Sequence, residues 1–159
     1  MIDRNVHTIK TIPHFDGQQS VLGDLLVNFD EVPESYFLAE SEIGAWQYLK
    51  GAKREERKKS NGEIFYYTEG PMSFPDPLDK PARTIITSEG GKTASRFKHV
   101  VLHNQKLRRL LPIELERANM FPDNHTASAN DTKRAFFMGN ALVVGVIERL
   151  GLTLSKLIS

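Results

Sequence analysis

The sequence predicts an α+β fold, and three observations carry that prediction. Helical segments with legible ends fall near residues 42–50 and 112–120, short β-favouring runs fall at 65–67, 83–87 and 100–102, and an apolar helix lies close to the C-terminus. At 159 residues the chain suffices for one compact domain, or for a domain with a segment that docks elsewhere. With 40% apolar and 26% charged residues, it has neither a disordered nor a fibrous composition.

Residues 1–30 mix short apolar clusters (Leu22, Leu25, Leu26, Val27, Phe29) with turn formers and show no period. Ser41 is a candidate N-cap for a short helix over 42–50, closed by Gly51, with Ile43, Trp46 and Leu49 inward. Residues 51–62 form the most basic stretch, with Lys53, Arg54, Arg57, Lys58 and Lys59 against Glu55 and Glu56. Two readings stay open for it: a solvated loop or helix face, or an arm that tracks phosphate. Phe65, Tyr66 and Tyr67 follow at a spacing that favours strand packing over stacking on bases.

Pro75, Pro77 and Pro81 forbid regular structure over 72–81 and imply a rigid connector. Arg83, Thr84, Ile85, Ile86 and Thr87 have the β-branched density of a strand. It ends at Gly90 and Gly91, which permit a tight turn or close approach to another backbone. Arg96, Lys98 and His99 add positive charge, and Val100, Val101 and Leu102 read as another strand. A helix over 112–120 starts at Pro112, which suits a first helical position. Glu114 can reach back to an exposed amide, Leu115 and Ala118 face inward, and Pro122 prevents continuation. Residues 134–139 read as strand or extended chain. A last helix follows, with Asn140 as N-cap and Gly151 as its stop. That helix is apolar on every face for two turns, so it must be surrounded, and a small domain has little with which to surround it.

The net charge of +1 gives no global case for nucleic acid, so any such case rests on clustered charge. Cysteine is absent, which excludes disulfides, zinc–thiolate sites and a cysteine nucleophile within this chain. His99, His103 and His125 have no acidic residue at ligand spacing and read as surface or hydrogen-bonding histidines, so no metal is expected. The start of the chain lacks the basic and apolar pattern of a signal peptide, and a cytoplasmic location is the expectation. The longest nearly uncharged run, residues 135–147, is shorter than the roughly 20 residues a membrane span needs.

Two segments carry a family resemblance. Arg108, Leu110, Pro112, Glu114, Arg117, Phe121 and Pro122 resemble the ninth sequence block of DNA (cytosine-5)-methyltransferases, Arg-x-Leu-Thr-Pro-x-Glu-x-x-Arg-Leu-Gln-x-Phe-Pro. Gly139, Asn140 and Ala141 resemble the tenth, centred on Gly-Asn-Ser/Ala-Val, and residues 81–87 are similar to the strand ahead of the ninth block. The chain departs from the pattern at Leu111, where the family has a capping threonine, a loss worth about 1 kcal/mol. It departs again at Ala118 and Asn119, which replace a Leu-Gln pair.

The resemblance implies the C-terminal part of such an enzyme, of restriction-modification type. Residues 1–131 form a small target-recognition domain, including the ninth-block helix 112–120, and 132–159 form the tenth-block segment, whose helix docks on a catalytic domain. The family's Pro-Cys nucleophile, Glu-Asn-Val, Phe-x-Gly-x-Gly and Gln-x-Arg-x-Arg blocks are not found in the sequence. A split-enzyme subunit or a fragment is therefore expected, with no catalytic residue of its own. Its implied partners are double-stranded DNA and a catalytic chain or domain, with a homodimer possible for the isolated chain and no membrane. The implied cofactor is S-adenosylmethionine, held mainly by the catalytic part, with Asn140 and Ala141 as cofactor contacts. DNA-contact candidates are Thr84, Thr87, Gly90, Gly91, Lys92, Arg96, Lys98, Arg108 and Arg117, the last two also as organisers of the region. A stand-alone, non-catalytic DNA-binding module is the alternative.

Overall fold

The computed structural model describes residues 4–6, 8–10, 12 and 17–158. Short 3-10 turns at Leu22–Leu25, Phe29–Glu31 and Glu34–Tyr36 precede helix α1, Glu40–Lys50. Strands β1, Lys53–Lys58, and β2, Ile64–Glu69, form one antiparallel hairpin; β3, Val100–His103, and β4, Lys106–Arg109, form a second. Helices α2, Pro112–Ala118, α3, Asp131–Asn140, and α4, Val144–Ile158, complete the chain. The mixture of helices and short antiparallel strands is the α+β fold that the sequence predicts.

The core joins distant segments. Leu22, Ile85, Val101, Leu110, Leu115, Ala135 and Met138 pack together, with Leu111 in a second cluster against Val32 and Tyr36. Leu111 thus buries itself where a threonine would have capped α2. The cap is supplied instead by Glu114, whose carboxylate accepts from the Leu111 amide at 2.8 Å, as expected for a glutamate two residues past Pro112. Trp46 is buried on α1, and the β3–β4 turn places Asn104 and Gln105 at φ 46 and 65, the left-handed pair that a two-residue hairpin loop requires.

Several local expectations are corrected. Helix α1 begins at Glu40, one residue ahead of Ser41, and the side chain that caps it is Glu42, which accepts from the Ala39 amide at 3.0 Å. Residues 83–87 pair with no strand, and Thr87 already lies in a turn. Their β-branched density serves burial of Ile85, and the Arg83 amide donates to His99 Nε2 at 3.1 Å instead of to a neighbouring backbone. The basic stretch, for which a loop, a helix face or a phosphate-tracking arm stood open, is strand β1, paired antiparallel with the aromatic strand β2. Residues 134–139 lie within α3, capped by Asn130, whose side chain accepts from the Lys133 amide at 3.0 Å. Ala135 and Met138 face the core at helical spacing, while Phe136 and Phe137 remain on the outside, which gives the segment its strand-like look. Asn140 therefore ends α3 and caps nothing; α4 starts at Val144 and runs past Gly151 to Ile158.

Candidate functional site

The basic residues expected at the surface divide into two groups. Arg108 is fully buried on β4: its guanidinium meets Glu114 through two hydrogen bonds of 2.8 and 2.6 Å, His103 Nδ1 at 3.0 Å and the Arg109 carbonyl at 3.1 Å. Lys98 is also buried, donating to the carbonyls of Gly91 and Thr93 at 2.8 and 2.7 Å, and burial holds its ammonium below the ordinary lysine range. Neither has surface left with which to meet a phosphate: Lys98 is corrected from candidate DNA contact to internal brace, and of the two roles expected for Arg108 the geometry fits the organising one.

Arg96 and Arg117 are half-turned inward. Arg96 donates to the carbonyls of Leu49 and Gly51, both at 3.2 Å, and to that of Gly70, and it meets Glu69 at 3.2 Å. It therefore clamps the base of the β1–β2 hairpin to the end of α1. Arg117 forks onto Asp123 at 2.8 and 2.7 Å and donates to the Leu25 carbonyl at 3.0 Å.

Thr84, Thr87 and Lys92 are exposed. Gly90 does permit close approach, but to this chain's own helix: a methyl group there would lie 2.8 Å from Ala135 Cβ and 3.0 Å from Thr132 Cα. Gly139 does the same from the opposite side, where a methyl would fall 2.5 Å from the Thr87 Cα and nitrogen. These two glycines lay the 84–91 segment flat along α3 and leave the Thr84 and Thr87 side chains outward. Beneath it, Asp76 joins Arg83 at 2.6 Å, Lys50 at 3.3 Å and the Val100 amide at 2.9 Å. Burial alone would raise the Asp76 carboxyl, but these partners more than offset it and hold it below the usual range.

Sequence reasoning did not anticipate the outer face of the hairpin. The register pairs Arg54 with Thr68, Glu56 with Tyr66 and Lys58 with Ile64, so these six share one face, and all six are exposed. The opposite face holds Lys53, Glu55, Arg57, Phe65, Tyr67 and Glu69, where Lys53 meets Glu69 at 3.9 Å and Arg57 meets Glu55 at 3.1 Å. Arg54 lies over the Tyr66 ring at 4.5 Å and Arg57 over Tyr67 at 3.8 Å. The signal was a basic run followed closely by an aromatic one, which lets Arg54, Arg57 and Lys59 each find a ring across the hairpin.

Around the end of α3, a groove of about 360 Å³ is lined by Thr84, Ile85, Asn119, Gly139, Ala141 and Leu142, among others. Asn119 ties its floor together, donating to the Met138 carbonyl at 2.8 Å and accepting from the Val144 amide at 2.9 Å. Asn140 is exposed beside it and donates to the Phe136 carbonyl at 2.9 Å. S-adenosylmethionine presents a carboxylate, an ammonium, a ribose diol and an adenine edge. Ala141 lines the groove and Asn140 does not, and no carboxylate lines it for the diol, so the groove by itself does not make up such a site. Among the described residues no cluster of His, Asp or Glu is suited to a metal ion, and no helix is long and apolar enough to cross a membrane.

Helix α4 contributes no buried residue. Leu150 is 61% exposed, Leu154 58% and Leu157 78%. A helix so apolar and so uncovered presents a contiguous surface of the kind that marks a contact with another chain or segment.

The model of the family described as C-5 cytosine-specific DNA methylase matches residues 5–156. The Type II methyltransferase M.Sau3AI of Staphylococcus aureus is 38% identical over 157 residues, covering 99% of this chain and 37% of the relative. The chain thus spans little more than a third of the length of that relative. With the family pattern matched along nearly the whole chain, this protein belongs to the C-5 cytosine-specific DNA methylase family.

Proposed function

We propose that this chain is the DNA-recognition portion of a DNA (cytosine-5)-methyltransferase of restriction-modification type, one that acts only together with a catalytic chain or domain. The observation that carries the proposal is α4, an apolar helix whose Leu150, Leu154 and Leu157 lie open, in a sequence with no cysteine. The methyl acceptor chemistry of the family needs a thiolate to attack the cytosine ring, so the nucleophile comes from outside this chain. Residues 1–131 are assigned to the recognition domain. Residues 132–159 are assigned to docking, with α3 rooting that segment in the core through Ala135 and Met138.

In this reading α4 lies against the catalytic part and closes the methyl-donor site with the Asn140 carboxamide and Ala141 at its edge. The donor, when bound, supplies a methyl group on a sulfonium. This chain's own task is to hold the duplex: Thr84, Thr87 and Lys92 face outward for DNA contact, and Gly90 and Gly91 set the path of the segment that carries them. Arg96 and Arg117 organise the region around them.

The test is methyl transfer from labelled S-adenosylmethionine to duplex DNA. Incorporation is expected only when a polypeptide bearing the Pro-Cys block is added; incorporation by the purified chain alone refutes the proposal. A companion measurement is complex formation with that polypeptide, which Leu150→Glu and Leu154→Glu should abolish while leaving the melting of the isolated chain unchanged.

A further inference from the structure

The β1–β2 hairpin is poorly explained as architecture alone. A lone two-stranded ribbon is marginal in water, and this one leaves Ile64 57% and Tyr66 54% exposed. Its inner face is internally neutralised and anchored, with Lys53 and Arg96 on Glu69 and Arg57 on Glu55. Its outer face sets two cations, Arg54 and Lys58, against one carboxylate, Glu56, with Thr68 opposite Arg54 and the Tyr66 hydroxyl donating to Glu56 at 3.4 Å. The outer face is thus rich in hydrogen-bonding groups and carries excess positive charge, whereas the inner face secures the ribbon.

We propose that the outer face of this hairpin enters the major groove of the DNA duplex and reads base edges through Arg54, Glu56 and Thr68, with Lys58 on phosphate. The inference rests on the DNA-recognition reading above and names the element within it that confers sequence preference. A two-stranded β-ribbon fits a major groove about 12 Å wide, and six residues of strand reach roughly 20 Å along it, enough for several base pairs. Each side chain suits a base edge. The Arg54 fork matches the paired acceptors of guanine, Glu56 accepts from the cytosine amino group, and Thr68 offers a methyl to thymine and a hydroxyl to a neighbour. Tyr66, whose ring lies 4.5 Å from the Arg54 guanidinium, restrains it before DNA arrives, which limits the ordering cost on binding. The Arg96 clamp onto the carbonyls of Leu49, Gly51 and Gly70 fixes the ribbon's angle to the body, so the face is presented at a set orientation.

The experiment selects binding sites with the full chain from a pool of duplexes whose central base pairs are randomised, and repeats the selection with Arg54→Lys and Thr68→Val. Both substitutions are on an exposed face and preserve charge or shape, and a thermal melt shows that each variant remains folded. Arg54→Lys is expected to weaken binding to the wild-type selected sequence by about tenfold or more. Its affinity for unrelated duplex stays the same, and preference is lost at one or two base pairs. Thr68→Val is expected to relax a different position. Unchanged consensus and affinity in both variants overturns the assignment of the hairpin while leaving the chain a DNA reader. Equal weakening on every sequence overturns it too, making the ribbon a phosphate clamp. A wild-type chain that selects no sequence, alone or with the catalytic polypeptide, overturns the DNA-recognition reading itself.

Discussion

Arg108 and Glu114 form a two-pronged ion pair of 2.8 and 2.6 Å in which both side chains are wholly enclosed. The carboxylate also accepts from the Val27 and Leu111 amides at 3.0 and 2.8 Å, so this one side chain caps α2, fixes β4 to it and ties the N-terminal turns to both. His103 completes the arrangement: burial and the neighbouring Arg108 charge hold its imidazole below the usual range, which keeps Nδ1 available to accept from Arg108. The two residues thus serve an internal role, the joining of three segments around α2.

Removing one partner leaves the other charged and buried. Arg108→Met or Glu114→Gln should therefore cost about 3–5 kcal/mol of unfolding free energy, read by denaturant titration. Changing both to apolar residues of similar volume should cost less than the two single losses added together. If instead Arg108→Met leaves stability untouched and lowers only affinity for DNA, the internal role assigned to Arg108 is wrong.

Acid should dismantle the polar framework in a defined direction. Asp76 lies below its ordinary value of 3.8: burial pushes it up, but Arg83, the Val100 amide and Lys50 together outweigh that push. Glu116 lies below 4.5 for the same balance, burial opposed by hydrogen bonds from Thr126 and Arg134. At a pH near these values the unfolded chain binds more protons than the folded one. Their stabilisation is thus complete above the unfolded values and is lost as pH falls through the folded ones. Unfolding free energy should hold level near neutrality and decline below about pH 4.5, with the decline shallower in Asp76→Asn. The variant should also be weaker at neutral pH, because Lys50 and Arg83 would face an uncharged amide. A wild-type profile flat down to about pH 3 would contradict this account.

The sequence made some of this legible and concealed the rest for physical reasons. Helix α2 can be read directly because its signals are local: Pro112 at the first position and Glu114 two residues on act within one turn. The exposed apolar C-terminal helix is likewise visible, since the side chains that leave it uncovered are its own. What conceals the inward turn of Lys98 and Arg96 is that their partners are backbone carbonyls, and Leu49, Gly51 and Gly70 lie far from Arg96 along the chain. No residue type announces a carbonyl acceptor. Helix α3 reads as a strand because Phe136 and Phe137 stand on its outer side, and only packing against residues 84–91 reveals that Ala135 and Met138 are the buried pair. The hairpin face is hidden until the register is known, because a shift of one residue would exchange its outer and inner sets.

Glycine at 139 is required by space, and the one at 151 is not, which gives a paired prediction within two helices of one protein. A methyl at Gly139 would sit 2.5 Å from the Thr87 Cα and nitrogen and 2.6 Å from the Ile86 carbonyl carbon, all backbone atoms that cannot rotate aside. At Gly151 nothing lies within 4 Å. Gly139→Ala should therefore destabilise by roughly 1–3 kcal/mol as the 84–91 segment is forced off α3. Gly151→Ala should stabilise α4 by about 0.5–1 kcal/mol, because alanine gives up less backbone entropy in a helix. Thermal melts of the two variants should move in opposite directions from wild type. Amide exchange should rise at Glu89 and Gly91, whose amides donate to the Ile86 and Ser88 carbonyls at 3.0 and 3.1 Å, in Gly139→Ala alone. A Gly139→Ala variant as stable as wild type, with those amides still protected, would mean that the close packing of Thr87 on α3 does not hold in solution.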